Sequence, residues 1–116
     1  MWRMQTGLGT VFVSPDVIAR IAGTEAQEVF GIIGMAARAP WIEGVGEWLG
    51  REPTKRGIEV WIEEGNIDLT IYVVVRYGTK ISEVARNVQE RVHYAIARSV
   101  GVAPRKIDVY VNGVRL

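Results

Sequence analysis

The sequence has no cysteine, a single histidine and almost no net charge, and each shortage closes off a class of chemistry. Without cysteine there is no disulfide, no thiolate zinc site and no thiol nucleophile. The same absence suits a reducing cytoplasm, where disulfides are rare. With His93 as its one imidazole, a metal site would have to be built from carboxylates. Fourteen basic residues against 13 acidic ones leave a net charge of +1. A dedicated nucleic-acid binder carries a clear basic excess. No apolar run approaches the length of about 18 residues that a membrane-crossing helix needs. Met1 to Thr10 is short and glycine-containing, and lacks the apolar stretch of a signal peptide. Membrane contact is therefore expected to be peripheral or through a partner.

What is present is an ordinary globular composition. Of 116 residues, 48% are hydrophobic and 23% charged, which predicts one domain over residues 1–116 with a core that needs no staples. No repeat, low-complexity tract or linker interrupts it.

The apolar rhythm predicts the elements. Leu8 to Val13 reads as a first strand. Ser14-Pro15-Asp16 then forms a helix start, with serine as cap, proline at the first helical position and aspartate at the positive end of the dipole. Val17, Ile18, Ile21, Ala22, Ala26 and Val29 give that helix one apolar face. Gly23 lies inside it at a cost of about 1 kcal/mol relative to alanine, which close packing on a neighbour would justify. Thr24 to Gln27 has capping-box form and offers a rival restart, but the face continues to Val29 and favours one helix.

Val29 to Ala36 is apolar without period and reads as a buried strand. Pro40 to Gly50 reads as a small helix with Trp41, Ile42, Val45, Trp48 and Leu49 on one face. Arg51 to Arg56 reads as a basic loop. Ile58, Val60 and Ile62 alternate with Glu59, Trp61 and Glu63. Glu64-Gly65-Asn66 turns the chain into a second alternating run, Ile67 to Arg76, which makes an antiparallel hairpin. Ile81, Val84, Ala85, Val88, Val92, Ala95 and Ile96 stripe a helix from about Lys80 to Val100, which Gly101 ends. Ile107, Val109 and Val111 mark a last strand. The predicted fold is an α+β two-layer sandwich: a mixed sheet of about five strands, two main helices on one face and a small extra helix.

The polar residues offer little chemistry. His93 flanks an apolar stripe beside Arg86 and Glu90, as a solvated surface residue would. Glu43 with Glu47, and Glu63 with Glu64, fall where an outer helix face and a turn call for polar groups. Ser14 and Ser82 lie at or near helix starts, where capping explains them. Gly31-Ile32-Ile33-Gly34 has the GxxG form of KH nucleic-acid-binding domains. Its isoleucines, however, suit a buried strand better than a loop against phosphate.

Two surfaces are candidates for binding. The first is the face of Trp41, Val45 and Trp48 with Arg51, Lys55 and Arg56 beside it. It reads either as a lid over the core or as a docking patch for a protein or a membrane surface. The second is the outward side of the sheet, with Trp61, Tyr72, Val74 and Tyr110. Aromatics there suit an interface or cross-strand pairing within the chain.

Several strings occur together and in order. They are Gly9-Thr10-Val11-Phe12-Val13-Ser14-Pro15-Asp16-Val17-Ile18-Ala19, then Glu28-Val29-Phe30-Gly31-Ile32-Ile33-Gly34-Met35, then Trp48-Leu49-Gly50-Arg51 and Tyr77-Gly78. Ile81-Ser82-Glu83-Val84-Ala85-Arg86-Asn87-Val88-Gln89-Glu90 and Val109-Tyr110-Val111-Asn112-Gly113-Val114 complete the set. Jointly they resemble the alkaline shock protein, or envelope stress response, family of Gram-positive bacteria, over nearly everything after Gly9. In lacking extended charged tails the chain resembles the family's short members.

The resemblance implies a cytoplasmic protein without enzymatic activity. Such a protein self-assembles, reaches the inner side of the membrane through a membrane-anchored relative and supports envelope homeostasis. It implies no cofactor, no metal, no small-molecule substrate and no catalytic residues. A small KH-like nucleic-acid module is the alternative expectation.

Overall fold

The computed structural model describes residues 1–36 and 57–116. In chain order the elements are β1 (Trp2–Thr6), β2 (Gly9–Val13), α1 (Pro15–Gln27), β3 (Ile32–Met35), β4 (Ile58–Glu63), β5 (Asn66–Arg76), α2 (Ile81–Val100) and β6 (Lys106–Arg115). The fold is an α+β sandwich, with two helices packed on one face of a mixed sheet.

β5 organises the sheet. Along one edge it pairs in parallel with β6, from Asp68 opposite Lys106 to Arg76 opposite Arg115. Along the other edge it pairs antiparallel with β4 through Ile67 to Ile71, and then with β3 through Val73 to Val75. β3 and β4 therefore lie on one strand line, interrupted at Tyr72. The Tyr72 N–H donates to Gly57 O at 2.7 Å, and the Tyr72 carbonyl accepts from the Ala36 N–H at 2.9 Å. Gly57 makes this seam possible. Its φ is +86°, and a Cβ there would meet Ala36 O at 2.9 Å and Tyr72 O at 3.0 Å, both fixed backbone atoms.

Helix formation follows the sequence signals closely. The Ser14 hydroxyl accepts from the Asp16 N–H at 3.1 Å, and α1 runs through Gly23 without a break. Gly23 is not held by close approach, however. A Cβ there would lie 3.6 Å from Ile58 Cγ1, an ordinary contact. α2 buries Val84, Val88, Val92, Ala95, Ile96 and Val100, and Gly101 ends it in the left-handed conformation. α1 lies over β3 and β4, α2 lies over β6, and the helices pack on each other. Between them and the sheet sit Ile18, Ile58, Ile67, Leu69, Ile71, Val73 and Val75. Each such side chain contributes roughly 1.5–3 kcal/mol by leaving water.

Three details of the expected arrangement are corrected. Among the described residues the main sheet has four strands rather than about five, because β2 does not join it. β2 instead pairs antiparallel with β1, in a separate hairpin for which the sequence reading assigned no first strand. Gly9 to Val13 carries apolar residues on both of its alternating faces, so no pattern directed it to the larger sheet. Finally, the strand read as Val29 to Ala36 is shorter. Residues 28–31 turn the chain, and β3 begins at Ile32. The small helix expected over Pro40 to Gly50 lies outside the described residues.

Candidate interaction surfaces

The sheet face turned away from the helices is set by strand register. Glu59 lies opposite Thr70, Trp61 opposite Asp68 and Tyr72 opposite Tyr110. Alternation placed Glu59, Trp61, Tyr72 and Tyr110 on this face, and it does so in the structure. Their exposure differs from expectation. Tyr72 and Glu59 are each only 1% exposed, while Trp61 is 48% and Tyr110 43% exposed.

Tyr72 is a platform rather than a surface. Its ring stacks on that of Tyr110, with centroids 5.1 Å apart and planes 16° apart. Its hydroxyl donates to Glu59 Oε1 at 3.0 Å. A buried carboxylate needs such a donor, since an unsatisfied one is costly. Tyr110 and Trp61 are the aromatics that this face presents to solvent, beside the exposed Glu63 and with Val74 half-buried. At its rim Arg105 grips Asp68 with two of its three guanidinium nitrogens, Nε to Oδ1 at 3.1 Å and Nη2 to Oδ2 at 2.6 Å. The Arg105 hydrogen bond is the main reason that the Asp68 carboxyl lies below its ordinary value, and the guanidinium is raised in turn.

The β1–β2 hairpin is the second exposed feature, and the sequence reading did not single it out. Among the described residues its base is what anchors it. Trp2 is buried, with Nε1 donating to Gly65 O at 3.2 Å, and Val13 packs on the core. Beyond that base Met4, Val11, Phe12 and Leu8 are all exposed. The signal available in the sequence was the apolar content on both sides of the alternation, Met4 and Val11 on one face and Phe12 on the other.

Between the turn after α1 and the outer side of α2 an open groove of about 390 Å³ is lined by Glu28, Phe30, Asn87, Glu90, Arg91 and Tyr94. Arg91 is drawn to Glu25 at 3.1 Å. Phe30 and Tyr94 stand exposed at the groove. A second open groove, about 270 Å³, includes His93, Arg105 and Lys106. His93 meets Tyr94 edge-on, centroids 5.0 Å apart. Among the described residues no group of three His, Asp or Glu side chains is placed to hold a metal ion. No described helix is long and apolar enough to cross a membrane. Gly31 to Gly34 spans a turn and the start of β3, so the GxxG string here is largely strand rather than a phosphate-facing loop. Trp41, Val45, Trp48, Arg51, Lys55 and Arg56 lie outside the described residues.

Comparison with known proteins places the chain in a family. Residues 3–116 match the model of the alkaline shock protein 23 family, described by a cell envelope-related function. The chain is 41% identical to YloU of Bacillus subtilis (strain 168) over 113 residues, which cover 97% of this chain and 94% of that protein. It is 33% identical to Spy1614 of Streptococcus pyogenes serotype M6 over 114 residues, covering 98% and 94%. It is 32% identical to YqhY of Bacillus subtilis over 110 residues, covering 95% and 80%. None of the three carries a functional name. No solved structure matches the chain. With the family pattern running from β1 to the end of β6, this chain belongs to the alkaline shock protein 23 family, whose function is related to the cell envelope.

Proposed function

We propose that the protein is a non-enzymatic scaffold at the inner side of the cell membrane, which assembles with itself and with a membrane-anchored relative. The carrying observation is where the exposed apolar side chains fall. Met4, Leu8, Val11 and Phe12 cluster on one projecting hairpin, and Trp61 and Tyr110 stand on one sheet face. Exposed apolar groups gathered in patches mark interaction surfaces. The two open grooves are lined by no serine, threonine or cysteine that a neighbouring base could activate for covalent catalysis. The envelope-related function of the family supports a role beside the membrane. With no membrane-crossing helix among the described residues, attachment through a partner fits better than attachment by this chain alone.

Sedimentation across a wide concentration range, joined to pull-down from native lysate with wild type, Trp41→Ala and Trp61→Ala, tests the reading. Expected are concentration-dependent oligomers and capture of a membrane-anchored relative, weakened in at least one variant. A monomer at every concentration that captures no such relative sinks it.

A further inference from the structure

We propose that β2 is an open strand edge through which two copies of this chain pair, hairpin to hairpin, about a two-fold axis at Val11. The inference rests on the self-association in the scaffold reading and gives it a site and a register.

Backbone accounting comes first. Thr6 pairs with Gly9 across a two-residue turn, so that pair is hydrogen-bonded, and the alternation makes Met4–Val11 and Trp2–Val13 hydrogen-bonded too. The backbone groups of Thr10 and Phe12 then point away from β1. They have no hydrogen-bond partner among the described residues. A lone two-stranded hairpin is marginal in water and gains from further strands. Among the described residues this one packs on the core through Trp2 and Val13.

The molecule treats its edges unequally. β6 carries Lys106, Asp108 and Arg115, and its register with β5 shifts by one residue near Asn112. Charges and bulges of this kind blunt an edge against pairing. β1 carries Arg3, and its base lies against the Gly65 turn. β2 has neither charge nor proline: it reads Gly-Thr-Val-Phe-Val.

A second copy fits this edge without electrostatic penalty. Antiparallel pairing about Val11 sets Gly9 opposite Val13 and Thr10 opposite Phe12 of the other copy, with no like charges facing. It also joins the two Met4–Val11 faces into one apolar strip, continuous with each core through Trp2 and Val13. The five-residue strand spans only about 17 Å. That is far short of a standard interface, so the association is reversible and depends on concentration.

The chain has no cysteine, so one introduced thiol reports register. At the axis the two copies of residue 11 form a non-hydrogen-bonded pair with Cα atoms about 4.5 Å apart, within disulfide reach. Residue 8 lies three positions off the axis on each side, so its two copies are roughly 20 Å apart. In the full chain under mild oxidation, Val11→Cys should cross-link to dimer while Leu8→Cys stays monomeric.

A second arm is independent of thiols. The double variant Thr10→Lys/Phe12→Lys should weaken dimerisation at least about tenfold by like-charge repulsion. Mixing it with Thr10→Glu/Phe12→Glu should restore dimers, which a folding defect would not do. If wild type oligomerises but both cysteine variants cross-link equally, or Val11→Cys does not, the hairpin site falls and self-assembly stands. Anionic phospholipid vesicles protecting the Thr10 and Phe12 amides from exchange, with no Val11 cross-link, would give the strand to the membrane and overturn the proposal. Wild type that never leaves the monomer removes the self-association reading itself.

Discussion

The hairpin and the β5-centred sheet are both antiparallel over much of their length, yet they are held by different physics. In the sheet, Ile58, Ile67, Leu69, Ile71, Val73 and Val75 all point into one core under the two helices. In the hairpin, among the described residues, Trp2 and Val13 reach that core and the remaining strand residues are exposed. Ladder hydrogen bonds occur in both, and their net worth is modest because water competes for the same groups. Burial separates the two regions. One is a body whose strands share a buried core. The other is an arm whose apolar side chains are left uncovered.

The sharpest way to break that comparison is a pair of truncations. Ile71→Ala should cost about 2–5 kcal/mol in urea unfolding, while Met4→Ala should change stability by less than about 0.5 kcal/mol. Equal losses would mean that the hairpin is part of the cooperative core. Next in size, Tyr72→Phe removes the donor to the buried Glu59 carboxylate and should cost about 1–3 kcal/mol, since a buried acceptor loses a partner. A neutral result would show that Glu59 does not depend on this one hydrogen bond.

Gly23→Ala tests the body from the stabilising side. A Cβ meets Ile58 at an ordinary contact distance and the backbone is helical, so a gain of roughly 0.5–1 kcal/mol is expected, read as a higher urea midpoint at unchanged slope. The smallest effect belongs to the exposed Asp68–Arg105 pair. Asp68 titrates below its ordinary value of about 3.9, so its contribution is present above that pH and is lost as pH falls through the lowered folded value. The stability difference between wild type and Asp68→Asn should therefore shrink on acidification, and also in about 1 M salt. A difference that grew below about pH 4 would reverse the assigned sign.

Much of the body was legible because its residues repeat with the period of their element. The stripe from Ile81 to Ile96 and the cap at Ser14 marked both helices, and Gly65 marked the turn of the β4–β5 hairpin. Trp61 and Tyr110 were found as exposed aromatics by the same alternation. Alternation names a face but not what covers it. Tyr72 and Glu59 were assigned to the correct side of the sheet, yet they are buried there, with Tyr72 stacked under Tyr110 and bonded to Glu59. The hairpin was hardest to read, since Phe12 interrupts the otherwise polar face of Arg3, Gln5 and Thr10 and so blurs which side should be buried.

Local chemistry thus specified the elements: helix starts and stops, strand faces and the tight turn each depend on residues only a few positions apart. Two matters waited on contacts between segments distant in sequence. One is that β3 and β4 share a single line along β5, a seam made by Ala36, Gly57 and Tyr72. The other is that β2 pairs with β1 rather than with the main sheet. Neither has a local signature, because a backbone hydrogen bond looks the same from any strand, and only the packed whole selects which strands meet.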